Sequence, residues 1–468
     1  MYDLLLKGAH VVDPLNGVNG VNDVAVEGGK IAAVGPDLTG PAREVIDVSG
    51  WVLQPGIIDS HVHLGSMWGS PYGPRMLAMN GVTTCLDMAG PLDDILEKTP
   101  QYGAGLNTAI LQFASPPFTF KTNAPSKAEM VELIDKSLAE GALGVKLLGG
   151  HYPLTPEVSS TLIKTALERR AYVAWHAGTS AHGSNLEGMI EAVQTADGYP
   201  LHLAHINAYC RGAIKNEIDE ARTAVELLNA NPNIFSESYI SPKNGTRLTC
   251  GPDGKIQSKV TGNCLRHFGF TEDRDGVRKA LLAHKAFAVY DAGGYSDLMT
   301  GEDAVKLWES HNTDVGGSFN INPPIPRILL AQVKRPDGAF VVDAISTDGG
   351  CIPRNVILSP GLSLVKLDVM TLTEFAQKTS LNPARMLRLK DKGHLTVGAD
   401  ADITIYDYAA QTPKMSFVEG RKVLFKGEVL GKNANIICTE RGQKAIEARG
   451  LKAIVVDPGL PVDRVKAL

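Results

Sequence analysis

The chain has 468 residues, 44% of them hydrophobic, and 51 acidic against 46 basic side chains give a formal net charge of −5. That balance leaves no basic footprint for nucleic acid, and no uninterrupted apolar run is long enough to span a bilayer. The start, Met1-Tyr2-Asp3-Leu4-Leu5-Leu6-Lys7, lacks the charged opening and long apolar core of a signal peptide.

The length suits one large domain plus a smaller one. Six dispersed cysteines (Cys85, Cys210, Cys250, Cys264, Cys351, Cys438) form no CxxC pair. They argue against a thiolate zinc finger or a disulfide scaffold and fit a reduced, cytoplasmic compartment. Cys250 and Cys264 flank a polar, glycine-containing loop that could bring them together.

Residues 1–54 read as short strands punctuated by turns, with Leu4-Leu5-Leu6, Asp23-Val24-Ala25-Val26 and Ile31-Ala32-Ala33-Val34 separated by Lys7-Gly8, Asn16-Gly17 and Gly28-Gly29. The same texture returns in 393–468, at Asp402-Ile403-Thr404-Ile405-Tyr406 and Lys422-Val423-Leu424-Phe425. The two ends together predict one small β-sandwich.

Residues 55–392 alternate apolar strands with helical stretches at Lys127 to Glu140 and Glu157 to Arg170. Repeated strand–helix alternation means a parallel sheet with crossover helices. At this length it predicts an α/β fold, a (β/α)8 TIM-like barrel. The polar, turn-rich stretch at about 207–320 predicts a long insertion over the active-site face, part of it a substrate lid.

The segment Gly56-Ile57-Ile58-Asp59-Ser60-His61-Val62-His63 ends an apolar strand in two histidines one residue apart. Strand side chains alternate faces, so His61 and His63 share a side and can hold one metal ion. Lys146, His176, His205 and Asp348 each follow an apolar run and precede a loop, the C-terminal strand end where barrels place their chemistry. His202, three positions before His205, falls on the opposite face by alternation and reads as a packing residue against a helix.

This ordered set, with the later Ser380-Leu381-Asn382-Pro383-Ala384-Arg385-Met386-Leu387 and Gly398-Ala399-Asp400-Ala401-Asp402, resembles the amidohydrolase superfamily, in the branch of dihydropyrimidinase, dihydroorotase and D-aminoacylases. The resemblance implies two divalent cations per chain, with zinc expected. His61, His63 and Asp348 would hold the more buried ion, and His176 and His205 the second. Lys146, carbamylated, would bridge them.

Asp348 would serve as general acid–base, with Tyr152 or His151 polarising a carbonyl oxygen. The implied reaction is hydrolysis of a non-peptide C–N bond in a small amide, cyclic amide or N-acyl amino acid. Leu64-Gly65 replaces the arginine that dihydroorotases usually carry after the histidine pair. Arg211, Arg354 and Asn355 are then the candidate substrate-binding residues, because guanidinium groups suit bidentate recognition. Cys85 and Asp291 compete for the bridging and acid roles, respectively. Alternatives are a mononuclear deaminase or a non-catalytic assembly protein on the same barrel. The resemblance also implies a homo-oligomer, dimer or tetramer.

Overall fold

In the computed structural model, which describes residues 1–462 and 464, eight parallel strands run side by side in chain order. They are β1 (Ile57–His63), β2 (Val82–Ala89), β3 (Ala104–Ala114), β4 (Gly144–Leu148), β5 (Tyr172–His176), β6 (Leu201–Leu203), β7 (Ile234–Tyr239) and β8 (Ala344–Ser346). After Ser346 the backbone kinks and resumes as Gly349–Gly350, which pairs with Val62 and His63 of β1. The Asp348 amide donates to the His61 carbonyl at 2.9 Å and that of Cys351 to His63 at 2.8 Å. The last strand thus closes on the first, giving the expected barrel.

The barrel strands are buried on both faces. Their outer residues (Val145, Leu147, Val173, Trp175, Leu201, Leu203) pack on helices through Ile134, Leu138, Leu162 and Met189. Their inner ones (Ile58, Leu86, Met88, Leu111, Ala174, Phe235) fill the barrel. Two-sided burial is why these strands read as continuous apolar runs rather than alternating ones. The helices follow their local signals. Lys127–Glu140 starts on a Ser126/Glu129 capping box and stops at left-handed Gly141.

The β-rich unit is one nine-stranded sheet built from both parts of the chain. Tyr2–Asp13 pairs antiparallel with Val18–Glu27 and parallel with both Ala42–Asp47 and Val52–Pro55, so the sheet forks there. Val52–Pro55 pairs with Ile403–Asp407, joining the N-terminal and C-terminal strands over a shared core of Leu6, Val11, Val24, Ile403 and Phe417. Lys392, 2% exposed, bonds Asp402 at 2.7 Å, and Asp402 accepts from Asn107 of β3 at 2.7 Å. The Gly-Ala-Asp-Ala-Asp motif therefore ties this sheet to the barrel.

Two boundaries differ from the sequence expectation. The strands Asn433–Cys438 and Lys452–Val455 leave the β-rich unit, the first pairing with the N-terminal half of β3. The insertion does not begin at 207. Residues up to Tyr239 form the regular barrel elements Glu217–Ala230 and β7. The segment beyond Tyr239 is not loop-like. A four-stranded sheet (Thr246–Arg247, Ala286–Asp291, Ser296–Met299, Gly316–Phe319) and three helices enclose their own core of Leu248, Leu265, Val277, Trp308 and Phe319. Strands of two to six residues are too short to show a period in the sequence. Among the described residues no helix is long and apolar enough to cross a membrane, and all six thiols are free, Cys250 and Cys264 included.

Candidate metal centre

Strand alternation delivers His61 and His63 to one side of β1, as expected. His61 Nε2 lies 3.3 Å and His63 Nε2 2.9 Å from Asp348 Oδ1. These three buried donors fall within 4.8 Å of one another, a grouping suited to one metal ion. Asp348 reaches them from the β8 kink with φ 52°, and His205 turns into the barrel with φ 37°. Left-handed backbone at a non-glycine residue is sparsely populated and clusters at functional sites.

A second pair lies beside the first. His176 Nδ1 is 3.1 Å from His205 Nε2, and Ser184 Oγ is 2.8 Å from His176 Nε2. The His205 ring stacks 5.1 Å from that of His61. Gly150 passes so close to the His176 ring that a Cβ there would collide with Nε2. Lys146 on β4 is 1% exposed and lines the same cavity as all five histidine and aspartate donors. Its Nζ contacts Met88 Sδ at 2.9 Å. The six residues thus converge at one mouth of about 600 Å³.

Burial sets the protonation. It holds His61 and His176 well below the ordinary imidazole pKa, and His205 at about 3. Neutral imidazole is the form that ligates metal. Burial also lowers the Lys146 ammonium, against the raising effect of Glu237, Asp348 and Asp87. Burial raises the Asp348 carboxyl, but Arg354, His61 and His63 outweigh it and hold Asp348 well below the usual carboxylate range.

Glu237 is the site residue that the sequence underrated. It is fully buried on β7, and one oxygen accepts from His61 Nδ1 at 2.7 Å and from the His205 backbone amide at 2.5 Å. The other accepts from the Ser346 hydroxyl. This fixes the proton on His61 Nδ1 and turns the Nε2 lone pair toward Asp348, the carboxylate–histidine arrangement that orients metal ligands. In the sequence, Ser236-Glu237-Ser238-Tyr239 is a strand-end cluster that makes Glu237 only a weaker candidate for substrate binding. Its inward parity was the available signal.

The remaining candidates separate clearly. His151 lines the cavity, its ring 5.3 Å from His176, and burial lowers its pKa to about 4. Tyr152 does not line the cavity. Its ring packs edge-on against Phe118 at 5.1 Å, beside buried Phe113 and Leu148. Asn355 is also displaced from its expected role. Its amide brackets Gly350, accepting from N and donating to O at 2.8 Å, so it braces the β8 kink.

Arg354 pairs with Asp348 Oδ2 at 2.6 Å and covers the Tyr239 ring. Arg211 lines the cavity while donating to Asn322 and the Tyr239 hydroxyl. Cys85 is buried against Thr108, outside the cavity, and Asp291, in the insertion, accepts from the Tyr72 hydroxyl.

His202 faces inward rather than toward a helix, bonding the Tyr172 hydroxyl at 2.8 Å. Strand alternation misplaces it because β6 ends at Leu203, so His205 is outside strand register.

The sequence compares well with known proteins over most of its length. The amidohydrolase family model matches residues 365–430. A dihydroorotase from Geobacter metallireducens is 25% identical over 86% of this chain and 90% of its own, and an allantoinase from Deinococcus radiodurans is 26% identical over 94% and 98%. Among solved structures, a D-aminoacylase studied for its binuclear metal centre superposes with TM-score 0.66 at 18% identity, covering 93% of this chain and 99% of that one. The chain is thus similar over most of its length to a dihydroorotase and an allantoinase, and it shares the fold of D-aminoacylase.

Proposed function

We propose that this chain is a metal-dependent hydrolase of a non-peptide C–N bond in a small amide, cyclic amide or N-acyl amino acid. The observation that carries the reading is the convergence of His61, His63 and Asp348 on one point, with His176, His205 and Lys146 lining the same cavity. The donor set fits two divalent cations, and we read them as zinc because the nitrogen donors are imidazoles. His61, His63 and Asp348 would hold one ion and His176 and His205 the other, with Lys146, as a carbamate, a further ligand beside them. A buried lysine that readily loses its proton is the form carbon dioxide can modify.

When bound, such ions lower the pKa of a shared water and polarise the scissile carbonyl. The chain's own residues do the rest. Asp348 takes a proton at its carboxylate and returns it to the leaving nitrogen. Arg354 holds the other carboxylate oxygen and so aims Oδ1 at the histidines. His151, neutral and at the wall, offers a hydrogen bond to a substrate oxygen. The cavity walls hold the amide between these groups.

A second reading, a mononuclear deaminase, is favoured by one observation. Only the His61/His63/Asp348 group gathers three donors of the histidine, cysteine or carboxylate type among the described residues. Elemental analysis separates the two, and a screen of hydantoins, dihydropyrimidines, imides and N-acyl-D-amino acids tests the hydrolysis. Loss of all turnover with chelator and return with zinc supports the proposal. Turnover that survives chelation removes it. The family resemblance further supports a homo-oligomer, which light scattering on the purified protein tests.

A further inference from the structure

The cavity is strongly asymmetric in charge. Besides Lys146, four cationic side chains line it (Arg211, Lys259, Arg266, Arg354), and Asp348 is the single carboxylate among its described lining residues. Asp348 is already committed to His61, His63 and Arg354. Any bound cations add positive charge to that end. A neutral substrate would leave this field unbalanced.

The outer cations come from the insertion. Helix Lys259–His267 places Lys259, Asn263 and Arg266 on the cavity wall, at spacings of four and three that put them on one face. That face runs about 10 Å along the helix axis. Its inner residues, Thr261, Cys264 and Leu265, are buried in or against the insertion core, so the polar face is held in place. Lys259 makes no ion pair among the described residues, and Arg266 pairs with exposed Glu272 and donates to Asn263 on the same face. By contrast Arg354 and Arg211 are held by internal partners and line the walls nearer β7 and β8. A cavity of about 600 Å³ is also far larger than one five- or six-membered ring fills.

We propose that the substrate carries a carboxylate at the end remote from its scissile C–N bond, seated on the Lys259/Arg266 face of the insertion helix. This rests on the hydrolase reading for the identity of the reacting end. The insertion then selects the substrate as well as covering the site. It favours elongated acidic amides over compact neutral rings, because a cationic wall attracts anions and gives a neutral chain nothing to pair with.

The test is a binding measurement on the zinc-loaded protein. Succinate, glutarate, adipate and pimelate are each titrated by calorimetry beside the matched monocarboxylate. The expected result is a dicarboxylate of one optimal length binding at least about tenfold more tightly than its monocarboxylate. That ratio falls toward one in the double variant Lys259→Glu/Arg266→Gln, whose exposed sites leave folding undisturbed, and it weakens with added salt. A ratio below about twofold at every length, or a preference unchanged in the double variant, overturns the proposal. The ratio is read whether or not any amide is hydrolysed, so a failed turnover screen sinks the hydrolase reading separately.

Discussion

Glu237 accepts a hydrogen bond from His61 Nδ1 at 2.7 Å, and the same carboxylate oxygen takes the backbone amide of His205 at 2.5 Å. One buried carboxylate on β7 therefore sets the orientation of a donor in each half of the site. Replacing one of its acceptor oxygens with an amide NH2 leaves His61 free to flip its tautomer. Glu237→Gln is expected to weaken metal binding roughly 10- to 100-fold, the usual effect of losing a partner to a ligating histidine. Competition with a chromophoric chelator measures it, and an unchanged affinity would show that Glu237 only fills space.

Asp348→Asn keeps an oxygen facing His61 and His63 but cannot take up a proton. The variant is expected to retain metal at saturating zinc while kcat falls about a hundredfold to ten-thousandfold. A rate within a few-fold of wild type would remove Asp348 from the acid–base role.

Lys146 must lose its proton before it can react with carbon dioxide. Burial depresses its pKa, so the reactive amine is populated below the ordinary lysine range. Reconstitution of stripped protein with zinc and bicarbonate is expected to accelerate as pH rises from 6 toward 9 and to be slow at 6, read as the rate of activity recovery. A pH-independent rate, or recovery indifferent to bicarbonate, argues against the carbamate.

Lys378 gives a prediction away from the site. It is fully buried, donating to the carbonyls of Val342 at 2.8 Å and Leu330 at 3.3 Å, and burial lowers its pKa to about 7. An unfolded lysine keeps its proton to about 10.5. Between those values the unfolded chain binds the extra proton, so folding stability gains as pH rises from 7 to 10, while below 7 the full cost of burying the charge is present and no longer varies with pH. Lys378→Met abolishes that contribution, on the order of a few kcal/mol. Denaturant titration of both proteins at pH 6.5 and 9.5 checks it. An equal pH dependence in the two would refute it.

The sequence exposed what depends on local pattern. The paired histidines were visible because a strand has a period of two and β1 is regular through His63. Its limits appear where regularity ends. His205 follows a strand of three residues and turns inward through a left-handed residue, which no alternation rule anticipates. Asp348 sits in a kink between two pieces of one strand, identifiable only from its neighbours in the chain. Glu237 owes its role to His61, 176 residues away in the chain, so only its inward parity hinted at it, whereas Arg354 lies close in sequence to Asp348 and was legible as its neighbour. Tyr152 and Asn355 were placed by proximity in sequence, and each is held elsewhere, Tyr152 against Phe118 and Asn355 on Gly350.

The central claim is that six side chains share two metal ions with Lys146 between them. Zinc per chain, measured on reconstituted and desalted wild type and on Lys146→Ala, tests it most directly. The account predicts about two ions in the wild type and about one or fewer in the variant. Two ions retained by Lys146→Ala, or no zinc retained by the wild type, would contradict it.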